Sequence, residues 1–270
     1  MGRERMPEVH SVLARRKLHI LAALELRVIR PAMATEHLLP ADLLDKFDIK
    51  EWRNATGILE TACPTEWAEV VEVLRGFTLL ASEVRVGGGN RSLISRRIDE
   101  PLYARGWIEK NFQTAIVVDE NRIDSPTHSV DCFKGGVAVE MEWNNKDPFF
   151  DRDLNNFRLL FELRAIQVGI IITRSWELQE IFKKLGKGTS YGKATTHHQK
   201  LWPKVEGGGA GGCPLLTFAI KPTAFVDDGE AAFQALKAQR EAEKAAKAAA
   251  KRAAKKAGIA LDDDEEDDED

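Results

Sequence analysis

Asp131, Glu140 and Glu142 are the side chains whose types and spacing point to chemistry. They fall in Asp131-Cys-Phe-Lys-Gly-Gly-Val-Ala-Val-Glu140-Met-Glu142-Trp, where two strand-like runs flank a Lys-Gly-Gly turn, the signature of a β-hairpin. Side chains alternate across a strand, so Glu140 and Glu142 share one face while Val137, Val139 and Met141 take the other. With the turn centred on Lys134-Gly135, Asp131 comes almost opposite residues 138–139, and its carboxylate can approach that of Glu140. Three acids converging beside a sheet repel one another unless a divalent cation neutralises them. Carboxylates are the hard oxygen ligands that Mg²⁺ prefers, and Mg²⁺ keeps waters that can act as nucleophiles. The competing reading is a solvent-exposed polar strand face. Against it, the neighbouring strand residues look buried, and no Lys or Arg alternates with the acids on the strand.

The elements that must hold this hairpin read as an α/β core. Thr114-Ala-Ile-Val-Val is β-branched, and Ser129–Phe133 and Val137–Trp143 are the hairpin strands. Phe149–Ile166 is an amphipathic helix with apolar residues at 154, 157, 160, 161 and 163. Val168–Thr173 reads as a buried strand, Trp176–Leu185 as a helix and Pro214–Ile220 as a last strand. Upstream lies a helical elaboration: Val9–Leu26, a helix starting near Pro40 with Asp42 in its first turn, one from Thr65, and Tyr103–Phe112. Glu206-Gly-Gly-Gly-Ala-Gly-Gly is expected to be a mobile loop that does not pack.

The run from Asp131 through Trp143-Asn-Asn-Lys-Asp-Pro-Phe-Phe-Asp-Arg-Asp-Leu to Phe161 resembles the BglII-type family of type II restriction endonucleases, within the PD-(D/E)xK nuclease superfamily. The likeness covers residues 95–222 or so, and the strand and helix order after the hairpin matches the family's core. It implies a restriction-endonuclease-like fold, a mixed β-sheet flanked by helices. It also implies Asp131 and Glu140 as Mg²⁺ ligands, with the Met141 backbone carbonyl as a third. Glu142 would orient or deprotonate water for in-line attack on a phosphodiester, leaving 5′-phosphate and 3′-hydroxyl ends. Most of the superfamily carries Lys at that position, BamHI-like enzymes carry Glu and BglII-like ones Gln, so Glu142 is a departure that the resemblance accommodates. A Lys orients water and stabilises charge, whereas Glu142 can accept a proton, hold the water or ligate a second metal. A fourth acid often comes from the helix before the hairpin. Glu109, in Gly106-Trp-Ile-Glu-Lys, is the candidate, with an ordinary exposed helix Glu as the alternative.

An endonuclease needs phosphate contacts for affinity and base contacts for specificity. Asn144 and Asn145 directly follow the hairpin, and Asn can bond bidentately to adenine; a strand-ending turn is the plainer reading. Lys146 and Arg152 suit phosphates, although Arg152 can equally pair with Asp151 or Asp153. Lys187–Lys200 mixes basic, hydroxyl, imidazole and amide side chains, and the resemblance marks Thr195, Thr196, His197 and Lys200 as a recognition segment. Arg85, Arg91, Arg96 and Arg97 flank a triple glycine, as a mobile arm over DNA or a basic loop without function. Palindromic sites call for a symmetric homodimer.

Composition agrees with a soluble chain, at 43% apolar and 30% charged residues, with no run long enough to cross a membrane. Three cysteines without a CxxC pair argue against structural zinc and disulfides, and with no signal-peptide pattern the expectation is a cytoplasmic protein. The net charge of −4 is an average: residues 235–270 hold eight basic and eleven acidic residues, leaving 31 and 32 in residues 1–234. The expected organisation is a catalytic domain over residues 1–230, an Ala/Lys-rich helix over 231–257 and an acidic disordered tail over 258–270. A nuclease of the same superfamily acting in repair or junction processing, or a DNA-binding protein that does not cut, are the rival readings.

Overall fold

The computed structural model describes residues 35–87, 92–124 and 127–256. The helix expected at Val9–Leu26, Arg91 and the tail at 258–270 lie outside the described residues. In chain order, α1 (Ala41–Lys46) runs into β1 (Phe47–Trp52), followed by α2 (Ala55–Ala62), α3 (Pro64–Gly76), β2 (Leu79–Leu80), α4 (Ala81–Val86) and α5 (Leu93–Tyr103). Next come β3 (Ile108–Lys110), β4 (Ala115–Val118), β5 (Asn121–Asp124), β6 (Val130–Lys134) and β7 (Val137–Met141). Then follow α6 (Pro148–Glu162), β8 (Val168–Arg174), α7 (Gln179–Lys184), α8 (His198–Glu206), β9 (Leu215–Ile220), β10 (Phe225–Val226) and α9 (Gly229–Lys256).

Six strands form the central sheet in the order β1-β9-β8-β7-β6-β3. Strands β7, β8 and β9 are parallel, while β1, β6 and β3 run antiparallel to their neighbours. The all-buried run Val168-Gly-Ile-Ile-Ile-Thr-Arg is what a central parallel strand covered on both faces requires. Each fully buried Ile there contributes roughly 1.5–3 kcal/mol, so the middle of the sheet is a rigid platform. On one face Val137, Val139, Met141, Ile170 and Phe218 pack with Leu59, Leu74, Ile98 and Phe182 of the surrounding helices. On the other, Ala138, Ile171 and Leu215 meet Phe150, Leu154 and Phe157 of α6 and Leu201 and Val205 of α8. Helix α6 lies close because Gly169 has no side chain; a Cβ there would stand 2.5 Å from the Phe157 ring and 2.7 Å from Leu215. The expected mixed sheet flanked by helices is therefore present.

Several expectations need correction. Residues 115–118 do form a strand, but it pairs with β5 as a separate exposed hairpin outside the central sheet. Tyr103–Phe112 is not one helix: α5 stops at Tyr103, Gly106 takes a φ of 84°, and 108–110 is the edge strand β3. Strand β1 extends the sheet upstream of the expected core by pairing with β9. The glycine-rich segment after α8 does pack: Ala210 is fully buried, and a Cβ on Gly211 would meet Arg158 at 2.8 Å. No helix among the described residues is long and apolar enough to cross a membrane.

Candidate active site

The hairpin turn is centred on Gly135 and Gly136, one residue later than expected. Both have positive φ, 54° and 85°, which a two-residue turn of this kind needs at both central positions and only glycine takes without strain. Cys132 consequently pairs with Val139 and Phe133 with Ala138, which puts Asp131 across from Glu140. The Met141 N–H donates to Asp131 Oδ2 at 3.0 Å, and the Asp131 N–H points to Glu140 Oε2 at 3.4 Å. Strand β6 is irregular here, because its register with β3 shifts between Ile108↔Phe133 and Lys110↔Val130. Such a bulge re-aims side chains at a strand end.

Glu140 and Glu142 share the strand face of Ala138 and so look toward α6, which brings Asp153. Their exposures are 1% and 2%, and that of Asp153 is 0%. Burial holds the Glu140 carboxyl well above its ordinary range, with the charges of Asp131, Asp153 and Glu142 adding to it. Burial also raises Glu142, and then Asp153 does so by its charge; Asp153 is raised by burial against the opposing pull of Arg152. Arg152 is the local counter-ion, 2.9 Å from Asp153 Oδ1 and 3.3 Å from Glu142 Oε1. Asn145 Nδ2 donates to Glu142 Oε2 at 2.8 Å.

A cavity of about 320 Å³ opens over this end of the sheet, lined among others by Asp99, Asp131, Met141, Glu142, Asn144 and Arg152. Among the described residues no three His, Cys, Asp or Glu side chains are grouped to hold a metal ion by themselves. The donor set expected for Mg²⁺ has two carboxylates and one carbonyl, and it passes a different test. Glu140 Oε1 is buried without a hydrogen-bond partner among the described residues, as is Asp153 Oδ2. A buried carboxyl oxygen that receives no donor, among other acids whose burial disfavours their charge, suits a hard cation that would restore it. Glu109 takes no part in this set. It lies exposed on edge strand β3, and the acid that α5 brings to the cavity is Asp99, 2% exposed and 3.7 Å from Cys132 Sγ.

The expected DNA-contacting residues divide into two groups. Asn144 lines the cavity in the left-handed conformation, φ 62°, and its buried Oδ1 has no hydrogen-bond partner among the described residues; Lys146 beside it is exposed. Asn145 and Thr196 instead latch two segments together. The Asn145 N–H donates to Thr196 Oγ1 at 3.1 Å, the Thr196 N–H donates to Asn145 O at 2.8 Å, and Lys146 bridges to Thr195. Thr196 is fully buried, and His197, 7% exposed, packs on Trp176 with ring centres 4.9 Å apart and the rings tilted by 47°. Lys200 stands 3.7 Å from Asp147. Arg96 opens onto a different groove with Glu72, Glu100 and Arg105. Arg85 and Arg97 are held in ion pairs with Glu230 and Glu83, so they are not the ends of a free basic arm.

Sequence reasoning missed Asp153 and Arg174. Asp153 carried a signal: one residue before Leu154 and four before Phe157, it falls on the apolar face of the helix. Arg174 ends β8 fully buried, its Nη2 donating to Tyr191 O at 3.1 Å and Thr195 Oγ1 at 2.9 Å. Burial lowers its pKa to about 10, which leaves it cationic at neutral pH. It ties the 187–197 segment to the sheet. Its position in the last residue of an apolar strand gave little warning of that role.

A family model described as restriction endonuclease BglII/BglIII matches residues 47–220. No curated protein matches the chain.

Proposed function

The chain belongs to the restriction endonuclease BglII/BglIII family, and we propose that it is a type II enzyme acting in the cytoplasm as a symmetric homodimer. Its substrate is double-stranded DNA, cut in a Mg²⁺-dependent reaction at a short palindromic site to leave 5′-phosphate ends. The observation that carries this reading is the buried, unpartnered Glu140 Oε1 next to Asp131 under an open cavity. Asp131, Glu140 and the Met141 carbonyl would hold the cation, which when bound neutralises charge growing on the phosphoryl oxygens and makes water more acidic.

The protein side chains do the rest. With a cation bound close by to offset the burial that raises it, Glu142 would accept the proton of the attacking water at one of its carboxylate oxygens, and Asn145 fixes the direction of that carboxylate through its 2.8 Å bond. Arg152 limits the repulsion between Glu142 and Asp153 and stands ready for a phosphate. Attack in line with the leaving 3′ oxygen then gives 5′-phosphate and 3′-hydroxyl products. Asn144, with an unused acceptor on the cavity wall, is the first choice for base contact, and Lys146 and Lys200 for phosphates. Thr195, Thr196 and His197 shape the recognition segment.

Incubating plasmid DNA with Mg²⁺, and in parallel with EDTA, tests the reading. Discrete fragments in Mg²⁺ and none in EDTA are expected. Smearing or structure-specific cuts would favour another nuclease task, and binding without cleavage would overturn the enzyme reading.

A further inference from the structure

Helix α9 leaves the body with eight basic residues against three acidic ones. Its start is tied down. Asp228 accepts from the Ser82 N–H at 2.9 Å, Arg85 pairs with Glu230 at 2.7 Å, and the Arg85 guanidinium covers the Phe233 ring at 3.7 Å. Glu83 and Gly87, from α4 and the residue that ends it, line the cavity that holds Asp131 and Glu142. Helix α9 therefore springs from the rim of the candidate site.

The half-buried residues Ala232, Phe233, Leu236 and Arg240 mark the side turned to the body, and residues 241–253 are exposed throughout. Lys244, Lys247 and Lys251 continue the same side. The series 233, 236, 240, 244, 247, 251 advances by three or four, and at about 100° per residue it stays within a stripe of about 80°. Glu241 and Glu243 fall on either flank of that stripe. The cations thus face the way the helix docks, but past the point where the helix is half-buried.

The chemistry of this stretch selects its partner. From 241 to 256 no apolar side chain is larger than alanine, so there is no seam of Leu or Ile to zip onto a second copy. Alanine and lysine are strong helix formers, so the rod needs no such packing to persist. Its 241–256 portion extends about 24 Å, the length of about seven phosphates along one DNA strand. We infer that α9 is a flank-binding arm: in a chain that cleaves duplex DNA as proposed above, Lys244, Lys247 and Lys251 lie along phosphates outside the recognition site. They add a sequence-independent, salt-sensitive part of the affinity.

The test uses the full chain with Lys244→Gln, Lys247→Gln and Lys251→Gln together, which keeps helix propensity and removes charge. Binding is measured in EDTA against salt, on duplexes of about 40 bp and about 14 bp sharing one central sequence. At ~0.9 per neutralised phosphate, the slope of log affinity against log salt should fall by about 2–3 on the long duplex and stay unchanged on the short one. Equal slopes for variant and wild type on the long duplex would overturn the arm, and so would equal losses on both lengths. If wild type binds neither duplex, the DNA-cleaving reading itself fails, an outcome distinct from loss of the arm alone.

Discussion

The Met141 N–H donates to Asp131 Oδ2 at 3.0 Å across the hairpin. This bond holds the Asp131 carboxylate against the strand that carries Glu140, and it exists because the Gly135-Gly136 turn sets that register. A one-residue slip would send Glu140 and Glu142 to the opposite face. The predictions below follow from this arrangement and from the acids packed behind it.

Glu140 is a buried acid with an unpartnered oxygen, so its charge costs stability when no cation is bound. Glu140→Gln should abolish cleavage and yet raise stability to urea, measured in EDTA at neutral pH, by about 1–2 kcal/mol. Added Mg²⁺ should raise the melting temperature of wild type and leave that of the variant unchanged. A variant less stable than wild type in EDTA would mean that Glu140 is satisfied in a way the geometry does not show.

Asn145 directs Glu142 through a 2.8 Å hydrogen bond. Asn145→Ala should therefore lower kcat by roughly 10–100-fold, the usual effect of losing a group that orients a catalytic ligand. Its preference for the cognate site over a one-base change should stay as in wild type. Relaxed specificity with kcat intact would make Asn145 a base reader after all.

How far the sequence disclosed this site depends on the range of each signal. Glu140 and Glu142 were legible because strand alternation is local and has a period of two. Asp131 opposite Glu140 was missed by one residue, because Lys-Gly-Gly admits two turn placements and the choice rests on which residues take positive φ. Glu109 was expected on the helix before the hairpin but lies on β3, and Asp99, which α5 brings to the cavity, was not singled out, since the helix end at Tyr103 and the turn at Gly106 were read through. Strand β1 went unrecognised because its partner, β9, lies far away in the chain; Lys50 pairs with Thr217. Ile116, Val117 and Val118 are β-formers by type, but propensity does not report burial, and they lie exposed on a separate hairpin. Thr196 was placed in the recognition segment, and a hydroxyl in a polar loop gives no sign that it will accept from the Asn145 N–H.

Burial, and after it the charge of Arg174, holds the His197 imidazole down at about 4, whereas its ordinary value is 6.5. Between those values the unfolded chain takes up a proton that the native protein refuses. The contribution is full above pH 6.5 and is lost as pH falls toward 4. Urea midpoints compared at about pH 7 and pH 5 should differ less for His197→Gln than for wild type. Identical differences would mean that His197 titrates normally in the native state.

Lys146 is exposed, two residues after Asn144, which lines the cavity. Lys146→Ala should weaken binding to all duplexes alike and reduce the salt slope by about 0.9, the signature of one phosphate contact. A loss confined to the cognate sequence would assign it to a base edge.

The central claim is that Asp131, held across from Glu140, helps to bind the divalent cation used in DNA cleavage. The most direct measurement is single-turnover cleavage of plasmid in Mg²⁺ by wild type and Asp131→Ala, with binding of both to the same DNA followed in EDTA. The account predicts discrete fragments from wild type alone, with binding and folding retained by the variant. Cleavage by Asp131→Ala at a rate near that of wild type would contradict it.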